Sequence, residues 1–201
     1  MLPRPHRNGH LMPATRGTLL VYGYGNPARG DDGLGPAVAS ALDARAGVEF
    51  AVESNYQLEL EDAALLARFD QVVFVDADVS GPAPFWFDRV RPASRLGWTS
   101  HGMTPEALVY LAKELFGRDL QAYTLGIRGY EFGEFSEKLS HRAQQNLDRT
   151  LRFLSHALHD RSFDQCVERL ASRPRPSGPA EPETHRDIVN ERRKASSPVR
   201  G

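Results

Sequence analysis

The sequence predicts an α/β fold, three layers deep, with helices on both sides of a mainly parallel sheet of about five strands. Strand-like and helix-like segments alternate along the central part of the chain, which implies parallel pairing through helical crossovers. The run Val72-Val73-Phe74-Val75 is apolar without interruption, as expected of a strand covered on both faces. The apolar residues between the strand candidates recur every three or four positions, the period of a helix with one buried face.

Taken in order, strands are expected over Thr18–Tyr22, Val48–Glu53, Gln71–Asp76, Phe85–Arg91 and Ala122–Ile127, all rich in β-branched or aromatic residues. The first helix follows from Leu34, Val38 and Leu42, and the second from Ala63, Leu66 and Phe69. Leu108, Leu111 and Leu115 mark a third, opened by Thr104-Pro105 as N-cap and first helical residue. Ala143, Leu147, Leu151, Leu154 and Leu158 form the longest stripe. These stripes are read as core faces.

The whole chain has 201 residues, enough for one domain with a substantial core. That domain is expected over residues 18–160, preceded by a flexible arm (1–17) and followed by a disordered proline-rich tail (171–201). From Ala171 onward there is no aromatic residue, and Pro174, Pro176, Pro179, Pro182 and Pro198 interrupt any helix. The formal net charge of −1 gives no single-sign field that would point to nucleic acid or an anionic membrane. The single cysteine, Cys166, excludes an intrachain disulfide framework and a cysteine-rich zinc site. It sits in a polar region near the tail and is not read as a nucleophile. No apolar stretch approaches the roughly 20 residues that span a bilayer. A soluble, cytoplasmic protein is the expectation.

The chemistry concentrates in "VYGYGNPARGDDGLG", residues 21–35. Gly23-Tyr24-Gly25 with Ala28 fits a loose dinucleotide fingerprint, and a non-proteolytic nucleotide- or metabolite-binding domain is the alternative reading. Two features oppose it. Pro27 removes a donor from a loop whose use would be to donate N–H groups. Asp31 and Asp32 would repel a pyrophosphate. A second reading makes one of these aspartates the cap of the following helix. A third is a metal site. In a doubly covered parallel sheet, ligands bind beyond the carboxyl ends of the strands. Three candidates fall there: Asp32 after the first strand, Asp76 at the end of the third, and His101 ahead of the helix near Thr104. Two carboxylates and an imidazole suit a divalent transition ion. No G-x-S-x-G elbow suggests serine hydrolase chemistry.

Three of these stretches carry a family resemblance. "GYGNPARGDDGLGPAVASAL", "VVFVDADVSG" and "TSHGMTPEALVYLAKEL" resemble, in order, the signatures of the hydrogenase maturation proteases, nickel-dependent endopeptidases that process the large subunit of nickel–iron hydrogenases. "SNYQLELEDA" and "TLGIRGYEFGEFSEKLS" resemble further family segments, so the likeness runs from about Leu19 to Leu158. The resemblance implies a twisted, mainly parallel sheet and an activity: removal of a C-terminal peptide from the nickel-loaded large-subunit precursor. It implies that Asp32, Asp76 and His101 engage nickel, the nickel of the substrate's own centre, and that the precursor and nickel-insertion chaperones are partners. Gly25 and Asn26 belong to the glycine signature and are expected to support the site. Asp31 is expected to matter little beyond a cap, and Asp78 to orient a ligand from the same strand face. Some family members carry Glu at the position of Asp32, one methylene longer. No catalytic base or nucleophile is assigned beyond the metal-engaging residues.

Overall fold

The computed structural model describes residues 18–171 except 45, 47–48, 94–102 and 134. Among these, five strands form one sheet in the order β2-β1-β3-β5-β4. Strand β1 is Leu19–Tyr24, β2 is Ala51–Asn55, β3 is Gln71–Asp78, β4 is Phe85–Arg89 and β5 is Gln121–Arg128. Strand β1 pairs in parallel with β2 and β3, and β3 in parallel with β5; β4 alone is antiparallel, against β5. The chain leaves β1 toward β2 on one side and returns to β3 on the other. The order therefore reverses between β1 and β3, the place where a crevice opens in such sheets.

Helices α1 (Leu34–Asp43), α4 (His141–Asp160) and α5 (Phe163–Ala171) cover one face, and α2 (Asp62–Leu66) and α3 (Pro105–Phe116) the other. Alternation along the strands sorts the core. Leu19, Val21, Val73, Val75, Leu125 and Ile127 pack toward α1 and α4, while Leu20, Tyr22, Val72, Phe74 and Ala122 pack toward α2 and α3. Strands β1 and β3 lie buried between the two cores.

Thr104 caps α3 through Ala107 N–H, with Pro105 next, as its sequence implies. The stripe of α3 is narrower than expected, however. Leu108 and Leu111 are buried, but Leu115 is exposed because Ala112 turns inward in its place. Ser140 caps α4 through Ala143 N–H. The chain beyond α4 folds back as α5, so Cys166 is not in polar surroundings. It is buried in the core beside Phe163, whose ring lies 5.1 Å from that of Tyr123. No helix among the described residues is long and apolar enough to cross a membrane.

Candidate metal-recognition site at the carboxyl ends of β1 and β3

Gly25, at the end of β1, has φ +131°, and a Cβ there would lie 2.1 Å from the carbonyl oxygen of Asp32 and 3.7 Å from Oδ1 of Asp76. Only glycine lets the turn close this tightly. Asn26 shapes the next step: its side-chain oxygen accepts Ala28 N–H at 2.9 Å, and its own backbone N–H donates to Asp32 Oδ2 at 3.1 Å. A 3-10 turn, Gly30–Gly33, then carries Asp31 and Asp32 into α1. Gly23 pairs with Val75, so Tyr24 and Asp76 are the next positions on adjacent strands, on the face shared with Tyr22 and Phe74.

These elements bring Asp32 and Asp76 together. Burial pushes the Asp76 carboxyl up to about 7, and the charges of Asp32 and Asp78 push it the same way. The Ala77 N–H, donating to Oδ1 at 2.7 Å, and the Tyr24 phenol favour its charged form. Tyr24 itself is driven upward by burial and by the Asp76 carboxylate, so it stays a protonated phenol. The negative charge of Asp32 thus adds to burial in opposing ionisation of Asp76. His101 lies outside the described residues. Among the residues described, no group of three or more His, Cys, Asp or Glu side chains is arranged to hold a metal ion.

Neither aspartate of the Asp31-Asp32 pair acts as a helix cap. The caps of the 3-10 turn and of α1 are Arg29 and Gly33, without side-chain bonds. Asp31 instead points into the protein, fully buried, and accepts four hydrogen bonds from residues about 100 positions later. Strand β3 continues to Asp78, which does share the face of Asp76. Its carboxylate is committed elsewhere: Oδ1 accepts Ser80 N–H at 2.8 Å and Gly81 N–H at 2.7 Å, and Oδ2 accepts the Trp86 indole N–H. Burial opposes its charge, but these donors outweigh it and hold the carboxyl below its ordinary value. Asp78 shapes the β3–β4 turn.

Three residues near the site escape a reading by motif: Tyr24, Trp86 and Ser140. Alternation from Tyr22 is the one local signal for Tyr24. Trp86 and Ser140 reach their partners only through the sheet and through packing.

Comparison with solved structures gives a match to a NiFe hydrogenase maturation protease, HycI from Thermococcus kodakarensis. The identity is 24%, the TM-score 0.57, and the match covers 71% of this chain and 92% of that one. The chain has the fold of the hydrogenase maturation proteases. The hydrogenase maturating endopeptidase HybD from Escherichia coli matches with 18% identity, a TM-score of 0.55, and coverage of 72% and 93%. The endopeptidase HycI from Escherichia coli matches with 22% identity, a TM-score of 0.54, and coverage of 70% and 90%. No protein-family model matches the chain, and no curated protein does. In this maturation-protease fold the two carboxylates sit where the strand order reverses, Asp32 after β1 and Asp76 within β3, two residues before its end.

Proposed function

We propose that this chain is a hydrogenase maturation endopeptidase. It removes a C-terminal peptide from the nickel-loaded large-subunit precursor of a nickel–iron hydrogenase, in the cytoplasm, after nickel-insertion chaperones have acted. Asp32, Asp76 and His101 engage the nickel of the precursor.

The observation that supports this reading is the convergence of Asp32 and Asp76 around Gly25 in a maturation-protease fold. The donor chemistry suits an ion that belongs to another protein. Two carboxylates and an imidazole, without thiolate, can complete the shell of a partly coordinated nickel and release it afterwards. A divalent ion between Asp32 and Asp76 relieves their mutual repulsion, so an unloaded precursor would leave the site electrostatically unsatisfied. A loaded precursor is thereby distinguished from an empty one. Once engaged, nickel supplies Lewis acidity or orientation beside the scissile bond. This chain's own contribution is to hold its carboxylates in place: Asn26 N–H fixes Asp32, and Ala77 N–H fixes Asp76.

The nucleotide-binding alternative has no support in the turn itself. From Gly25 to Asp31 every backbone N–H is already spent: Gly25 on Asn55, Asn26 on Asp32, Ala28 and Arg29 on Asn26, Gly30 on Ser136 and Asp31 on Glu131. Pro27 has none to give. A phosphate would meet carboxylates and no free backbone N–H between Gly25 and Asp31.

The test is to incubate the protein with nickel-loaded and with nickel-free precursor and to weigh the products. Loss of a C-terminal peptide from the loaded precursor alone is the expected result. An unchanged mass in both, with the protein folded, would overturn the reading.

A further inference from the structure

Asp31 is a charge placed where no water reaches it, 0% exposed. Oδ2 accepts Tyr130 N–H at 2.7 Å, Glu131 N–H at 2.9 Å and the Ser140 hydroxyl at 2.8 Å; Oδ1 accepts Ser140 N–H at 2.7 Å. Backbone bonds run alongside. Gly30 N–H donates to Ser136 O at 2.6 Å, Asp31 N–H to Glu131 O at 2.8 Å, and Ser136 N–H to Ala28 O at 2.9 Å. Burying a carboxylate is costly even when it is well paired, and an apolar contact could join two loops more cheaply. A charge with four donors adds direction. Its oxygens tolerate little rotation of the backbone that carries them.

That backbone is a 3-10 turn of four residues without a side-chain cap, a weak element by itself. Successive side chains on such a turn point about 120° apart. Fixing the direction of Asp31 therefore fixes the direction of Asp32. We propose that Asp31 is a positioning residue: its clamp on Tyr130, Glu131 and Ser140 sets the rotation of the turn and holds the Asp32 carboxylate opposite Asp76. This inference rests on the proposed function for the role of Asp32, but its geometric part can be read without activity. The reporter is the Asn26 amide, which donates to Asp32 Oδ2.

The experiment compares full-length wild type and Asp31→Asn, at a temperature where both are folded, with nickel-loaded precursor as substrate. The amide resonance of Asn26 is recorded in parallel. The expected result is a kcat lowered on the order of tenfold to a hundredfold, with little change in KM and a shifted Asn26 amide. A folded Asp31→Asn with wild-type kcat overturns the proposal. So does a lowered kcat with an unmoved Asn26 amide, since the loss would not then run through Asp32. If Asp31→Asn does not fold, Ser140→Ala decides by the same two readouts, and Ser140→Thr, which keeps the hydroxyl, should restore both. If wild type cleaves no precursor, the proposed function fails separately. The Asn26 amide alone then judges the clamp: a shift sustains it, and an unmoved resonance overturns it.

Discussion

The indole of Trp86 lies across Gly126. The two residues face each other on β4 and β5, and a Cβ on Gly126 would come within 3 Å of the indole Nε1, Cε2 and Cζ2. The missing side chain lets Trp86 reach over β5 and donate to Asp78 on β3. Asp76 pairs with Gly126 from the other side, so Trp86, Gly126 and Asp76 lie side by side on β4, β5 and β3.

Gly126→Ala should therefore displace Trp86 and take one donor from Asp78. A destabilisation of about 1–3 kcal/mol, the usual range for overpacking, is expected in urea unfolding. The indole N–H resonance of Trp86 should move at the same time. An unperturbed indole resonance would contradict this packing.

Asp76→Asn should separate stability from activity. Because the Asp76 carboxyl is raised to about 7, the folded state holds a proton between about pH 4 and 7 that the unfolded state has lost. Wild-type stability thus falls as pH rises through that window, and the penalty is complete above it. Without added metal, Asp76→Asn should lack this slope and be more stable than wild type at pH 8, by on the order of 2 kcal/mol. Precursor processing should nonetheless be abolished, as also expected for Asp32→Asn and His101→Ala. Denaturation curves across pH, beside a processing assay, measure both halves.

Asp31→Asn should show the opposite pH behaviour. Its hydrogen bonds outweigh burial and hold the carboxyl below its ordinary value, so its stabilisation is complete above about pH 4 and fades as pH falls further. At neutral pH the substitution should cost about 3 kcal/mol, well beyond a lost helix cap. Chemical denaturation at pH 7 and pH 3 should show the gap narrowing in acid. A gap equal at both would deny that the charge is what the four donors stabilise.

Cys166→Ser should leave processing per folded molecule unchanged, since the thiol is buried in α5 beneath the opposite face of the sheet from Asp76. The buried hydroxyl should cost about 1 kcal/mol, with Ser162 Oγ near enough to moderate the loss; the thiol lies 3.9 Å from it. A processing assay normalised to folded protein checks this.

Local chemistry in the sequence was enough to determine the layers and to single out two carboxylates that the fold brings together. The unbroken apolar run at Val72–Val75 can be satisfied only between two dry faces, and β3 is buried accordingly. Thr104-Pro105 starts a helix by capping geometry that needs no distant partner. Asp32 and Asp76 stand out because one follows a strand and the other lies near the carboxyl end of its neighbour, at the same edge of a parallel sheet. Tertiary structure alone decided what each remaining carboxylate does. Asp31 and Asp32 are chemically identical neighbours, yet one is locked to Ser140 and the other held by Asn26, because adjacent side chains on a 3-10 turn face different surroundings. Asp78 repeats the spacing of a strand-face ligand but is captured by Ser80, Gly81 and Trp86. The antiparallel direction of β4 and the inward turn of Cys166 were equally hidden. Strand periodicity is the same in either direction, and the burial of a short polar helix depends on which surface it meets.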